Sequence, residues 1–344
     1  MQALANLRPT SYAGCRQFSI CVFVRAMPLC MAVERGSAMQ RYILKRAFYA
    51  LISLVILSIT IFCLIRFTGD PAILMVEPGA SDADLQAIRK EFGLDKSLPV
   101  QYGVFVANMF RGDFGKSIYY REPAFDLYLQ RLPASLWLTA VAMSISLVIG
   151  IPIGILSAVR VDSWVDSISK TFSILGLSLP SFWVGLMLMM IFSVSFGWLP
   201  SSGSGTFWHI IMPAFSLGWV FSAAHTRMAR SAMLEVMGSE YVKLARLKGL
   251  PEKLVIVKHA FKNALIPVLT LAGINLVIMM NAAVVVESVF AWPGIGRLLY
   301  EGISNRDFPL VQTTVLMGGV MIVVINLLVD ILYAYIDPRI RYGQ

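Results

Sequence analysis

The sequence predicts an all-α polytopic membrane protein that crosses the bilayer six times, and three observations carry that expectation. Hydrophobic residues make up 57% of the 344 and charged residues only 14%, with a mean hydropathy of +0.71, whereas soluble domains carry about 25% charged residues. The apolar residues are gathered into long runs without Asp, Glu, Lys or Arg. The basic residues then cluster between those runs, mainly on alternate connections. A net charge of +9 could serve nucleic acid, but such a patch needs a soluble face to carry it, and here the charge follows membrane topology.

Residues 1–38 show no sustained period, and Arg25 cuts the apolar run FSICVFV from MPLCMAV with no clean cleavage site after it. They read as an extension before a start at Met39, whose sequel MQRYILKR is the basic lead expected of a first membrane helix. Ala47 to Ile65 is uncharged and long enough for a hydrocarbon core that needs roughly 20 residues. Further uncharged runs occupy Leu132 to Val159, Asn263 to Val286 and Phe308 to Val329. The region from Thr171 to Thr226 is too long for one crossing and is divided by Gly197, Pro200 and the SSGSG turn at Ser201 to Gly205. The expected spans are therefore about 47–65, 134–159, 172–196, 210–226, 264–286 and 308–332, within a domain of 39–344.

Six crossings put both termini on one side, and charge assigns the side. The lead, the second and fourth connections and the tail hold 15 Lys and Arg, against 2 in the short segments opposite; the excess marks the cytoplasm. The loop 67–131 is then extracytoplasmic, with a helix-like stretch ASDADLQAIRKEFGL opening at Ser81 or Asp82. The basic connection 235–265 is cytoplasmic.

Several motifs allow more than one reading. Gly112 to Ser117 ends in GKS, but the glycine that a phosphate loop needs five residues before its second glycine is Phe110, so nucleotide binding is not expected. Cys15, Cys21, Cys30 and Cys63 have no ligand spacing, and His209, His225 and His259 share none either, so neither a metal nor a catalytic role is expected. Pro152, Pro180, Pro213 and Pro267 fit ordinary kinks in a bundle, or a translocation path near Ser178, Ser181, Asn275, Asn281, Glu287 and Trp292. Ionisable residues deep in the spans are scarce, which disfavours an ion-driven carrier, and no paired groups suggest a membrane enzyme. The stretch EYVKLARLKGLPEKLVIVKHAFKNALIP, Glu240 to Pro267, reads as a helix, a turn at Gly249 and a second helix from about Glu252. It suits an interfacial helix on anionic lipid or, given its break, a projection docking into a soluble partner.

At these residues the chain resembles the membrane subunits of binding-protein-dependent ABC importers, specifically the dipeptide, oligopeptide, glutathione and nickel permease family. Glu240-Tyr-Val-Lys-Leu-Ala-Arg-Leu-Lys-Gly249-Leu and His259-Ala-Phe-Lys-Asn-Ala-Leu-Ile-Pro267-Val carry the likeness. Gly69-Asp70-Pro71, Gly93-Leu94-Asp95-Lys96, Gln101-Tyr102, Gly112-Asp113-Phe114-Gly115, Glu287 to Leu298, Arg306-Asp307-Phe308-Pro309, Asn326 to Asp330 and Asp337 to Arg341 extend it from Met39 to the end. Lys243 and Leu244 depart from the wider Glu-Ala-Ala pattern, and Lys262 stands where that pattern has proline. The resemblance implies a type I ABC importer permease fold in the inner membrane, with Glu240, Tyr241, Ala245, Lys248, Gly249, His259 and Asn263 coupling to an ATPase. It also implies a second homologous permease, two cytosolic ATPases that hold ATP and magnesium, and an extracytoplasmic solute-binding protein. The cargo implied is a dipeptide, oligopeptide or glutathione, or alternatively nickel or another metal chelate. The short connection Gly197 to His209 favours a compact glutathione or dipeptide type.

Overall fold

The computed structural model describes residues 46–67, 86, 90 and 95–336, the last six as backbone alone. The expected extension 1–38, the helix-like stretch at Ser81, and the motifs at Gly69, Gly93 and Asp337 fall wholly or mostly outside those residues. The packing below belongs to a unit of Ile52–Asp337; of a second unit, Met1–Leu51 with Pro338–Gln344, only residues from Arg46 to Leu51 are described. The helices are α1 Arg46–Phe67, α2 Leu98–Phe110, α3 Ala124–Val159, α4 Trp164–Ser178, α5 Ser181–Ser195, α6 Trp208–Met237, α7 Glu240–Leu247, α8 Glu252–Val289, α9 Ile295–Ser304 and α10 Phe308–Ile336.

Among the described residues, α1, α3, α8 and α10 are each long and apolar enough to cross a membrane, and α4 and α5 pass the same test only together, as a bent pair that is either a broken crossing or a re-entrant loop. The expected span 172–196 falls on two helices with a bend between them. α4 begins at Trp164, where Ser163 caps it by accepting from the Asp166 amide, and the chain then turns by 102° into α5. Proline disfavours helical backbone at the residue before it, and Leu179 before Pro180 is accordingly extended at φ −93°, ψ 124°. The helix that carries the expected span 134–159 starts ten residues earlier, at Ala124. α3 runs 36 residues, about 54 Å at 1.5 Å per residue, so its first turns with Asp126 and Arg131 reach beyond a hydrocarbon core.

The expected fourth crossing, 210–226, lies inside α6, which is more polar than α3 and α8 and keeps its polar residues enclosed. Ser216, Ser222, His225 and Thr226 are all buried. Its packing against α3 is backbone to backbone: a Cβ on Gly218 would stand 2.7 Å from the Ala142 carbonyl, one on Gly150 2.7 Å from Ser222 O, and one on Gly154 2.5 Å from Thr226 O. Small residues at helical spacing allow such approach where lipid offers no hydrophobic contrast between helices. The core beside this seam contains Leu138, Ile210, Met212, Leu217, Met279, Val286, Phe290 and Trp292.

At one end of the bundle, the segment between α2 and α3 is clasped to the turn between α9 and α10. The buried Asp307 carboxylate accepts from the Ser117 hydroxyl and, at 3.0 Å, from the Tyr119 amide. The GKS motif thus ends on a carboxylate, ahead of α3 and apart from any helix start. Tyr120 donates to Glu301 at 2.6 Å; burial first, and then this carboxylate, push its phenol up to about 12.

Overpacking a tight seam costs about 1–3 kcal/mol, so Gly154→Leu is expected to lower the thermal unfolding midpoint of the purified protein by several degrees. Gly318→Leu, where a Cβ meets nothing within 4 Å, should leave it unchanged.

Candidate functional site

The far end of α6 leads directly into the projection that the sequence singles out. The chain bends at Gly238 and Ser239, forms α7, and turns again at Gly249 before α8. Gly249 has φ +73°, left-handed backbone that glycine adopts without cost to a Cβ. α7 is fastened by one face only. Val242 and Ala245, one turn apart, are buried with Ala158 of α3, Ala232 and Met233 of α6, and Val255, Ala260 and Ala264 of α8. The apolar cluster beneath the projection therefore draws on three long helices, with α7 itself packing chiefly on α6 and the start of α8.

Its other face is free. Leu244 and Leu247 are 54% and 84% exposed, beside exposed Lys243 and Lys248. Across the turn, Arg246 donates to both carboxylate oxygens of Glu252, at 2.8 and 3.3 Å, and this bond raises the Arg246 guanidinium further above its ordinary range. Both partners are largely exposed, and such pairs contribute roughly 1 kcal/mol or less, so the shape rests chiefly on Gly249 and the buried apolar contacts. Tyr241 accepts from Asn263 Nδ2 at 2.9 Å, and Asn263 also reaches the His259 carbonyl at 3.3 Å. Lys243 pairs with Glu240 at 2.9 Å. All seven sequence-predicted residues of this segment thus fall on one compact element: Ala245 buried beneath, Tyr241, His259 and Asn263 joined at its flank, and Glu240, Lys248 and Gly249 exposed.

The six path residues do not converge. Ser178 and Asn281 are exposed and bonded to their own helices, at Ile174 O and Val277 O, and Ser181 opens α5 half-buried. Asn275 is buried and donates to His225 Nε2 at 3.2 Å; His225 Nδ1 then faces Ser146 Oγ at 2.6 Å. Glu287 and Trp292 are turned into the structure: Glu287 accepts from the Gly296 amide at 2.7 Å, and Trp292 donates to Ala134 O at 3.0 Å. A Cβ on Gly294 would collide with the Glu287 carboxyl, so in this conformation both residues hold the entry to α9 rather than line a passage.

Two polar nodes were not legible as sites in the sequence. One is Ser146–His225–Asn275, joining α3, α6 and α8. The other is Asp166, wholly buried, which accepts from Arg230 Nε at 2.7 Å and Nη2 at 3.0 Å, from Lys170 at 2.8 Å and from Ser157 at 2.5 Å. Lys170 and Ser157 lie four and nine residues from Asp166, but Arg230 stands 64 residues on, and no local spacing pointed to it.

The chain matches the family described as binding-protein-dependent transport system inner membrane component over residues 150–342, and the N-terminal domain of that membrane component over 39–139. It belongs to this family. Over 305 residues, 88% of this chain and 100% of the relative, the permease is 40% identical to the glutathione transport system permease protein GsiC of Pectobacterium atrosepticum. Over the same extent it is 37% identical to GsiC of Escherichia coli strain K12. Among solved structures, an inward-facing MetNI methionine ABC transporter is similar in fold, with a TM-score of 0.50 at 20% identity over 61% of this chain and 96% of that one. The permease is thus a multi-pass transport subunit of an inner membrane.

Left-handed backbone costs a residue with a Cβ roughly 1–2 kcal/mol, and open space around Gly249 removes any steric contribution. Gly249→Val is therefore expected to cut substrate uptake severalfold with membrane insertion intact, while Gly249→Asn retains most of it. Unchanged uptake in the valine variant would count against the turn as a coupling element.

Proposed function

We propose that this permease is one half of the membrane pore of an ATP-driven importer for small peptides, with dipeptides, oligopeptides or glutathione as cargo. The cargo class is supported by the full-length likeness to permeases named for glutathione transport and by the short connection between α5 and α6. A second homologous permease completes the pore, two cytosolic ATPases bind ATP and magnesium, and an extracytoplasmic solute-binding protein delivers cargo. Both termini are cytoplasmic and the crossings number six, with α6 as the enclosed one; the basic excess on one set of connections supports this orientation.

One observation carries the mechanism: α7 is held from beneath by Val242 and Ala245 while Leu244 and Leu247 stay exposed among lysines. A soluble ATPase with an apolar cleft rimmed by acidic groups would receive that face. Closure of the ATPase pair on ATP moves α7, and because α7 packs on α6 and α8 over an apolar cluster that includes Ala158 of α3, the displacement passes to the bundle as a rigid shift. Glu240, Tyr241, Ala245, Lys248, Gly249, His259 and Asn263 shape this coupling element, and Ser178, Ser181 and Asn281 are the candidates for the passage that is opened.

Leu244→Glu with Leu247→Glu is expected to abolish co-purification of the ATPase subunits with the permease and to stop uptake of labelled glutathione or dipeptide. Retained co-purification would refute the docking face. In the unaltered transporter, assembly with the ATPases but uptake of neither compound, when the receptor is supplied, would refute the cargo class alone.

A further inference from the structure

The helix α2 is built inside out. Its packed side carries its polar groups: Gln101, Tyr102 and Asn108 are partly buried together with Phe105, Val106 and Met109, and Tyr102 and Phe105 close on α1. Its open side carries Val100, Gly103, Val104 and Ala107, all exposed. The spacing of these four is one stripe of a helix, and it holds no polar side chain. Amphipathic helices at a water surface show the reverse arrangement. No Asp, Glu, Lys or Arg occurs between Lys96 and Arg111, and Phe110 at the end of α2 is 83% exposed.

The depth of α2 follows from its contacts with α1. Tyr102 shares a hydrogen bond of 2.8 Å with Ser58, and its ring meets Phe62 edge-on with centroids 5.4 Å apart. Phe62 in turn lies under the Arg66 guanidinium, at 5.2 Å. Arg66 ends the uncharged run of α1, and Ser58 lies about 12 Å further in at 1.5 Å per residue. The Tyr102 turn is therefore level with the hydrocarbon. A helix of 13 residues, about 20 Å long, cannot cross a core of about 30 Å, so it enters and stays on one side.

We infer that α2 is a half-membrane insert, with the Val100–Gly103–Val104–Ala107 stripe seated against lipid acyl chains beside α1. Arg111 follows the insert, and the chain continues through the turn at Gly112 to the Asp307 clasp. The insert thus anchors the clasped segment to the bilayer as well as to α9 and α10. The occupant is lipid because the stripe lacks any hydrogen-bonding side chain and lies level with the uncharged part of α1.

The test uses the whole transporter in liposomes, with Cys15, Cys21, Cys30 and Cys63 replaced by serine in a background that retains uptake. A nitroxide is placed at Val104→Cys and, in a separate protein, at Leu98→Cys; Leu328→Cys on α10 gives the lipid reference and Tyr119→Cys the water reference. The expected result is collision with oxygen severalfold above collision with a soluble nickel chelate, matching position 328. Nickel access like that at position 119 would overturn the inference, and so would a label closed to both reagents, which would place a protein partner on the stripe.

Discussion

The approach of α3 to α6 at backbone distance is the constraint on which the rest of the bundle depends. Gly150, Gly154 and Gly218 leave no room for a Cβ, so the two helices cannot slide past each other without separating altogether. This fixes the height of α6 within the bundle, and with it the level at which the chain leaves for α7. The transmission proposed for α7 needs such a stiff base, because packed helices shift as bodies rather than deform continuously.

Polar side chains along the same seam add registration. His225 meets Ser146 and Asn275 midway, and Arg230 meets Ser157 and Asp166 nearer α7. In surroundings without water an unmatched polar group costs several kcal/mol, so each node penalises any arrangement of α3, α4, α6 and α8 that separates its members. Removing one member strands the others, as for any buried pair. The steric seam sets the distance between helices and the nodes set their rotation.

Much of this was legible in the sequence. Uncharged runs gave the cores of α1, α3, α8 and α10 because a bilayer filters composition directly, and Gly249 with Pro251 announced the turn after α7 because backbone chirality leaves few alternatives there. The end of α3 at Val159 was legible and its start was not: the uncharged run begins after Arg131, whereas the helix continues back through Pro133 and Arg131 to Ala124. The bend before α5 had its cause in plain sight at Pro180, but a long apolar run masks where a chain turns inside a membrane. The passage residues were the hardest. Serine and asparagine in spans serve helix contacts as readily as a path, and only the positions of distant partners, such as His225 for Asn275, separate the two roles.

Glu287 and Asp307 differ in a way that bears on biogenesis. Glu287 takes its amide partners from Gly296 and Arg297, nine and ten residues downstream, so it is satisfied almost as soon as that stretch leaves the ribosome. Asp307 waits on nothing downstream except its own α10, but its Ser117 and Tyr119 partners were made 190 and 188 residues earlier. The loop that precedes α3 must therefore be held open, unclasped, through the synthesis and insertion of every crossing from α3 to α8. Long-range closure of this kind comes late in assembly, so the clasp at Asp307 joins the segment before α3 to the head of the last helix only after the intervening helices are made.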